Sequence, residues 1–414
     1  MQRNITFSLI AAGSLILAAQ GLAQSQEATI QPATVIEVPP PAVPEVRQAV
    51  DLAICLDTSG SMSGLIESAK QKLWAIVNDL ALAEPVPDLR VALLTYGNDG
   101  HNPENGWVRI DSGLTADLDL ISQQLFALST NGGTEYVGRV IQAATGQLEW
   151  TPSDDALKLI VVAGNESADQ DHEAPFREMC REAISRGIMI NSIYCGPATD
   201  FIAPGWAEVA KLADGHFASI DHNNGTVVMS TPFDDELASL SAGLNGTYIP
   251  FGIEGERGQT NQMAQDANAE SMNSSAVAAR AATKAGQLYD NSLWDLVDAS
   301  RDEEFKLEDL SEDALPEEMR EMTLEERKKH VEEMSAKRQT IQQQIAEVSK
   351  NRQEFIDEEM KKQNLDDSSS FDAALRKAIR GQATSKGFEF PAQEAQSSGT
   401  AESGKEAEKS DANP

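Results

Sequence analysis

The chain has too few cysteines to rely on a disulfide framework. It carries three cysteines in 414 residues, whereas domains that depend on disulfide bonds are short and rich in cysteine. Cys55 lies in an apolar run and is expected to be a small core residue. Cys180 and Cys195 could pair in an oxidising compartment, but a bridge needs a specific geometry that the sequence leaves open.

Basic residues are also scarce relative to acidic ones. The chain has 33 Lys and Arg against 66 Asp and Glu, which gives a formal net charge of −33. Nucleic acids and anionic membrane surfaces would repel such a chain, so both are excluded as partners. A basic or cation-bridged protein partner fits better, although the same acidity also serves solubility without any partner.

Long apolar stretches are absent after the N-terminus. Arg3 precedes an apolar run at 5–19 and small residues at 21–23, which predicts a signal peptide over 1–23. The run is shorter than the roughly 20 apolar residues that a membrane span needs. We therefore expect an exported protein of bacterial type, periplasmic or secreted, with no stable membrane span after cleavage. An uncleaved signal anchor is the alternative.

The remaining composition divides the chain into several segments, because 414 residues exceed what one core normally supports. Proline-rich and low-complexity stretches are typical of linkers and disordered tails. The predicted segments are a Pro-rich linker (24–48), an α/β domain (49–252), a polar linker or alanine-rich helix with little core (253–286), a helical region (287–392) and a disordered tail (393–414).

Within 49–252, apolar strand patterns alternate with helical patterns. Six strands are predicted, at 52–56, 90–95, 107–110, 157–162, 189–194 and 215–220. This alternation, with continuously apolar strands, predicts a doubly wound, mostly parallel six-stranded sheet covered by helices on both faces. In such a sheet, ligands bind beyond the carboxyl ends of the strands.

The most specific motif follows the first predicted strand. There the chain reads Asp57-Thr58-Ser59-Gly60-Ser61. Alternate side chains of an extended loop turn to the same side, which would bring Asp57, Ser59 and Ser61 together. Hard cations such as Mg²⁺ take about six oxygen ligands and often use one or two carboxylates with water. The segment thus predicts a cation-binding loop, although it also suits a strand-to-helix turn with a serine cap.

A second segment, Gly132-Gly133-Thr134, lies directly before a predicted helix at 137–148. The two glycines allow the backbone to approach a neighbouring group closely. Thr134 could then offer its hydroxyl to the same cation, directly or through a water. Taken alone, the segment also fits a turn followed by a helix cap.

Together the two segments resemble the metal-ion-dependent adhesion site of von Willebrand factor type A domains, and the resemblance covers 49–252. It implies a Rossmann-like fold and a divalent cation, Mg²⁺ or else Mn²⁺ or Ca²⁺, bound by Asp57, Ser59, Ser61 and Thr134. It also implies a protein partner whose Asp or Glu completes the coordination shell.

The third ligand loop departs from the family. The strand at 157–162 should end in Thr-Asp-Gly, whose Asp binds the ion, but the chain reads Ala163-Gly164-Asn165-Glu166. Gly164 occupies the place of the Asp, and Asn165 or Glu166 could reach inward instead. Weak metal binding, an additional water ligand and a metal-free domain all remain open. Further along this loop, an acidic cluster (Asp169, Asp171 and His172) is interpreted as a solvated loop rather than a second metal site.

The helical region contains one long predicted helix. The run Thr323-Leu324-Glu325-Glu326 has the spacing of a capping box, and the helix should end near Gln363. A heptad-like apolar pattern follows, interrupted by three arginines. We favour a hairpin or small bundle formed with 293–297 and 371–379, with self-association as a homodimeric coiled coil as the alternative.

Catalysis is disfavoured, because the polar residues of the loop at 97–107, including His101, have no recognised catalytic spacing. Two functional hypotheses therefore remain. The first is cation-dependent protein binding, for adhesion or assembly, in the cell envelope. The second is a metal-free envelope scaffold that assembles through its helices. A hydrolase is the least favoured.

Overall fold

The computed structural model describes residues 47–220, 229–363 and 371–390. The predicted signal peptide, nearly all of the Pro-rich linker and the predicted tail lie outside these described residues.

The centre of the fold is a six-stranded sheet in the order β3-β2-β1-β4-β5-β6. Strand β3 runs antiparallel to β2, and the other neighbours are parallel. The predicted fold class is confirmed. All of β1 after its first residue is buried, as expected for a strand covered on both faces. The strands are β1 (Ala49–Asp57), β2 (Asp88–Tyr96), β3 (Arg109–Thr115), β4 (Leu157–Gly164), β5 (Ile188–Tyr194) and β6 (Phe217–Ser219).

Helices cover both faces of the sheet. Two of them, α1 (Ser63–Leu80) and α2 (Leu118–Phe126), bury their apolar stripes against one face. The opposite face is covered by α3 (Val137–Gln147), α4 (Phe176–Ser185) and α5 (Ala203–Leu212). The loops at the carboxyl ends of the parallel strands therefore emerge along one edge of the sheet.

The segment at 253–286, predicted as a polar linker or an alanine-rich helix with little core, is helical and packs against the rest of the chain. After α6 (Asp234–Asn245) come α7 (Gly255–Met272) and α8 (Ser274–Ala285). Helix α8 contacts α1, α6 and α7, and its buried residues include Ala278, Ala281 and two cations, Arg280 and Lys284. Small side chains and buried ion pairs make this contact, so no apolar run marks it in the sequence.

Arg280 joins α8 to the sheet domain. Its side chain is 1% exposed, and its guanidinium lies 2.6 Å from Asp119 of α2 and 2.9 Å from Asp266 of α7. The same group stacks on the Trp74 ring of α1 at 4.5 Å. Lys284 lies 2.7 Å from Asp266, and burial lowers its pKa to about 8. The two cations of α8 are thus balanced by carboxylates of α2 and α7.

The long helix α11 (Leu324–Gln363) begins with the predicted capping box. The Thr323 amide donates to Glu326 at 2.8 Å, and the Glu326 amide donates back to the Thr323 hydroxyl at 3.3 Å. Helix α11 packs on α6, on α8 and on the short helix α9 (Leu296–Ala299). A further short helix, α10 (Glu317–Arg320), precedes α11. Apolar side chains of α11 therefore pack against other parts of the same chain, in a small bundle, among them Val331, Ile345 and Val348.

The predicted pairing of 371–379 with this bundle is wrong. Helix α12 (Phe371–Ser385) packs on α1, β4 and β5 instead. Its Leu375 and Ile379 belong to the apolar core beside α1, and Arg380 binds Asp79 of α1 at 2.8 Å. The apolar face of α12 was visible in the sequence, but such a face does not specify the surface that it covers.

All three cysteines are buried free thiols. Cys180 lies in α4 and Cys195 directly after β5, and no bridge joins them. Where the structure describes helices, each lacks the combination of length and hydrophobicity that a bilayer crossing requires.

Arg338 of α11 is a fully buried cation, and its replacement should be strongly destabilising. It is 1% exposed and lies 2.6 Å from Asp295 and 2.7 Å from Asp298, and it donates to the Thr247 carbonyl at 2.8 Å. Replacing Arg338 with Ala leaves two buried carboxylates without this cation. We expect a loss of about 3–5 kcal/mol in the free energy of unfolding, measured by urea titration.

Arg301 offers a matched control, because it binds the same Asp298 at 3.0 Å but is 55% exposed. Arg301→Ala should cost less than about 1 kcal/mol. Equal losses in the two variants would contradict the role assigned to the buried arginine.

Candidate metal centre

Two of the predicted ligand segments meet at the carboxyl edge of the sheet. Asp57 is the last residue of β1 and lies beside Tyr96, the last residue of β2. Backbone hydrogen bonds then join the β1–α1 loop to the α2–α3 loop. The Gly60 amide donates to the Gly132 carbonyl at 2.7 Å, and the Asn131 amide donates to the Thr58 carbonyl at 3.1 Å. The structure therefore brings the Asp-x-Ser-x-Ser and Gly-Gly-Thr segments together.

Asp57, Ser59 and Ser61 converge as the alternation of the loop predicts. The Ser59 amide donates to Asp57 Oδ1 at 2.8 Å, and the hydroxyl oxygens of Ser59 and Ser61 lie 3.3 Å apart. Neighbouring oxygens around an octahedral Mg²⁺ are separated by about 3 Å, given metal–oxygen distances of about 2.0–2.1 Å. The two hydroxyls are thus spaced to share one small cation.

The carboxylate of Asp57 lacks a counter-charge. Its side chain is 0% exposed, and among the described residues Oδ2 accepts no hydrogen bond of normal geometry. Burial raises the pKa of Asp57 from 3.8 to about 7; the hydrogen bonds from Ser59 oppose this rise, and the Glu135 carboxylate adds to it. The Asn165 backbone amide lies close enough only to lower the pKa of Asp57 slightly. A buried oxygen with no partner, next to two hydroxyls, fits a hard divalent cation well.

Thr134 is half-buried and lies beside the site. Within the described residues, its hydroxyl makes no hydrogen bond to Asp57, Ser59 or Ser61. Its neighbour Gly133 does approach the site, since a Cβ on this glycine would lie 2.9 Å from the Ser59 Cβ. The loop therefore reaches the predicted ligands, with the backbone rather than the threonine hydroxyl in contact.

The place of the missing third-loop Asp is filled by aromatic side chains. Gly164 ends β4, and a Cβ there would lie 3.2 Å from Asp57 Oδ2 but 2.4 Å from the Tyr96 hydroxyl oxygen and 3.1 Å from the Trp206 ring. Both aromatic groups are held in place by backbone carbonyls: the Tyr96 hydroxyl donates to Ala163 at 3.0 Å, and the Trp206 indole donates to Glu166 at 2.7 Å. A side chain at 164 would have to displace them.

Of the two residues considered as substitutes in this loop, Asn165 reaches inward. Its amide nitrogen donates to the Ser61 hydroxyl at 3.0 Å. Glu166 is exposed. An amide thus contacts the ligand set from the third loop, where the family has a carboxylate.

Glu135 is the residue that the sequence analysis missed. It is 8% exposed. Its side chain and that of Asp57 both lie against Gly97, because a Cβ on Gly97 would be 2.8 Å from Asp57 Oδ1 and 2.8 Å from Glu135 Cγ. Gly97 has a φ of +74°, which favours glycine there for a second reason. The available signal was an acidic residue directly after Thr134, but the family motif assigns that position no role.

The acidic cluster of the β4–α4 loop has arginine partners. Asp171 lies 2.9 Å from Arg139 and accepts hydrogen bonds from two following amides. Asp169 binds Arg177. Throughout the part of the chain that the structure describes, no three His, Cys, Asp or Glu residues are grouped so that they could hold a metal ion. These contacts position the loop.

Known proteins resemble part of this chain. The family model of the von Willebrand factor type A domain matches residues 51–208. Among solved structures, proximal thread matrix protein 1 from the mussel byssus, with a zinc-occupied MIDAS motif, is 14% identical with a TM-score of 0.35, and the match covers 43% of each chain. The SpRpn10 VWA domain is 18% identical with a TM-score of 0.34, over 44% of this chain and 100% of that chain. No curated protein matches the sequence.

The raised pKa of Asp57 predicts how the metal-free protein responds to pH. Because the folded protein binds this proton more tightly than the unfolded chain, stability should fall as the pH rises from about 4 to 7 and stay low above that. A pKa raised from 3.8 to about 7 corresponds to a loss of up to about 4 kcal/mol. Asp57→Asn retains the acceptor for the Ser59 amide and removes the charge.

In chelator at pH 8, the Asp57→Asn protein should therefore be more stable than the wild type, by about 1–4 kcal/mol in urea unfolding, with a smaller difference at pH 5. The comparison cancels the pH dependence of the carboxylates that lie away from Asp57, which both proteins share. An unchanged difference between pH 5 and pH 8 would contradict the assignment.

Gly164→Asp, which restores the family residue, should destabilise this protein. The added side chain collides with the Tyr96 hydroxyl and the Trp206 ring, at an expected cost of about 1–3 kcal/mol in urea unfolding. Gly205→Asp is the control, since a Cβ there meets no atom within 4 Å. In a double-mutant cycle, Tyr96→Phe should relieve part of the Gly164→Asp cost. Additive effects would show that the hydroxyl is not the obstacle.

Proposed function

We propose, on the premise that residues 51–208 form a von Willebrand factor type A domain, that the protein binds another protein through a divalent cation. The observation that carries this proposal is the buried, unpaired Oδ2 of Asp57 beside the paired hydroxyls of Ser59 and Ser61. Ser61 is exposed, so the ligand set opens to solvent on one side. A cation bound there would be accessible to a partner.

The proposed ligands lie at different depths, from the buried Asp57 to the exposed Ser61. Asp57 would hold the cation from below with its charge, and Ser59 and Ser61 would coordinate it through their hydroxyl oxygens. Thr134 would join, directly or through a water, as the partner engages. The bound cation supplies a positive contact point for an Asp or Glu of the partner. Oxygen ligands of this kind suit Mg²⁺, Mn²⁺ or Ca²⁺.

The setting that we propose is the cell envelope, with the protein periplasmic or secreted after removal of the predicted signal peptide. The buried pairs Arg280–Asp119 and Arg280–Asp266 support a fixed connection between the C-terminal helices and the sheet domain. The helices would then present the domain to its partner in adhesion or assembly.

A metal-free scaffold is the second candidate, and Gly164 is the observation that favours it. The family places a carboxylate at this position, and here aromatic side chains fill the space. In that case Asn165 and Ser61 would be held together by their hydrogen bond alone, and assembly would depend on the helical surfaces.

Hydrolysis receives less support. The His101 ring contacts the Trp107 carbonyl at 3.1 Å and the Thr95 hydroxyl at 3.5 Å. Thr95 is 0% exposed and donates to Asp111 at 2.7 Å. These contacts tie the β2–β3 loop to its strands and give a substrate no access to the threonine.

The two candidates differ in their response to metal. If the cation binds, a Mg²⁺ or Mn²⁺ concentration of 100 times Kd should stabilise the wild type by about 2.7 kcal/mol, and Asp57→Asn should show no gain. Thermal unfolding with added metal and with chelator measures this.

Partner capture from envelope extract should likewise require metal and fail with Asp57→Asn. A wild type that shows neither metal response would favour the scaffold.

A further inference from the structure

Buried carboxylates in this protein are normally paired with arginine. Eight are buried in the described part of the chain, namely Asp51, Asp57, Asp119, Glu135, Asp171, Asp234, Asp295 and Asp298. Six of them lie within 3 Å of a guanidinium, in the pairs Asp51–Arg90, Asp119–Arg280, Asp171–Arg139, Asp234–Arg352, Asp295–Arg338 and Asp298–Arg338. Asp57 and Glu135 are the two exceptions among the described residues. Two buried negative charges without a cation are costly.

The two exceptions are neighbours. As described above, Asp57 Oδ1 and Glu135 Cγ both lie 2.8 Å from the position that a Cβ on Gly97 would take. Glu135 Oε1 also lies close to Gly133. A Cβ on Gly133 would be 2.1 Å from this oxygen and 2.9 Å from the Ser59 Cβ. The Glu135 carboxylate thus reaches the group formed by Asp57 and Ser59.

The two oxygens of Glu135 have different surroundings. Oε2 is 3.5 Å from the Gln170 amide nitrogen, which is a long hydrogen bond. Oε1 faces Gly133 and Ser59 and has no ion pair with any described residue. Oε1 therefore lies on the side where the Asp57 carboxylate and the serine hydroxyls converge.

From this geometry we propose that Glu135 is a carboxylate ligand of the cation and replaces the Asp that the family carries at the position of Gly164. The proposal rests on the cation site of the proposed function and adds Glu135 to Asp57, Ser59 and Ser61, the ligands that bind before a partner and Thr134 engage. The family carboxylate has no room at the end of β4, because Tyr96 and Trp206 occupy that space. A longer side chain from the α2–α3 loop supplies the second charge instead.

Two carboxylates balance the charge of one divalent cation, which a single Asp57 would not. The cation should therefore bind tightly before any partner arrives. Its attraction for a partner's carboxylate should be weaker than in a site with Asp57 as the single carboxylate. The mixed set of two carboxylates and two hydroxyls contains oxygen ligands alone, which selects hard cations over those that prefer nitrogen or sulfur.

Glu135→Gln tests the proposal, because it retains the shape of the side chain and removes the charge. Mn²⁺ binding to the full chain is measured at pH 8 by the electron paramagnetic resonance signal of the free ion. We expect Glu135→Gln to weaken Mn²⁺ binding by at least about tenfold, on the scale known for changes around metal ligands. Asp57→Asn should abolish it.

Glu166→Gln is the matched control. Glu166 is exposed, yet its charge reaches Glu135: the pKa of Glu135 is raised by burial first and by Glu166 to a smaller extent. A purely electrostatic influence would therefore appear in this variant too. We expect its Mn²⁺ affinity to stay within about threefold of the wild type.

Stability in chelator separates a ligand from a structural residue. A ligand held without its cation is an uncompensated charge, so Glu135→Gln should unfold at the same or a higher temperature than the wild type. A lower unfolding temperature together with unchanged Mn²⁺ affinity would assign Glu135 a structural role and overturn the proposal. Wild-type affinity in Glu135→Gln, with binding lost in Asp57→Asn, would overturn it while the proposed function stands. A wild type that binds no Mn²⁺ would overturn both.

Discussion

The candidate site depends on one constraint, the burial of the negatively charged Asp57 side chain at the end of β1. Asp57 ends the central strand, between β2 and β4, and the surrounding loops cover it completely. An ionised carboxylate in such a place needs a proton or a cation, since water cannot reach it. The nearby hydroxyls of Ser59 and Ser61 offer oxygens rather than positive charge. Metal affinity, proton affinity and stability are therefore linked at this one residue.

The same rule of charge compensation explains how the C-terminal helices attach. Arginine is a minority residue in a chain with a net charge of −33, and several arginines are placed at buried junctions between segments. Arg280 joins α8 to α2, and Arg338 joins α11 to the segment that includes Asp295. Arg352 binds Asp234 at the start of α6. Against this background Asp57 and Glu135 are the two buried carboxylates of the described residues without an arginine partner, and we therefore assign the proposed cation to them.

The sequence predicts those features that depend on local pattern. The buried strands β1, β2, β4 and β5 follow from apolar runs, whereas β3 has no such run and lies at Arg109–Thr115 rather than at the predicted 107–110. The meeting of Asp57, Ser59 and Ser61 follows from alternation at the end of a parallel strand. The missing features depend on contacts between distant segments. Glu135 reaches Asp57 because Gly97 and Gly133 leave space for it, and the motif does not encode that space.

The helical region shows the same limit. Helix α8 packs through Arg280 and alanines, so its sequence reads as a polar linker, although its partners Asp119 and Asp266 lie in two other helices. The face of α12 is recognisably apolar, yet whether Leu375 covers the sheet or the bundle depends on which surface α1 leaves open. Residue pattern predicts that a helix has a buried face, and tertiary structure determines what covers it.

Charge also bears on the nature of a partner. A protein with a net charge of −33 repels an acidic partner over distances up to about the Debye length, roughly 8 Å at physiological ionic strength. A cation bound as proposed would reverse the sign of the potential only close to Ser61, where the site is exposed. A partner that is basic overall would be attracted from a distance, and one exposed carboxylate on it would then suffice for the short-range contact. If Glu135 also binds the cation, that local attraction is weaker still, and the complementarity of the surrounding loops must supply most of the specificity.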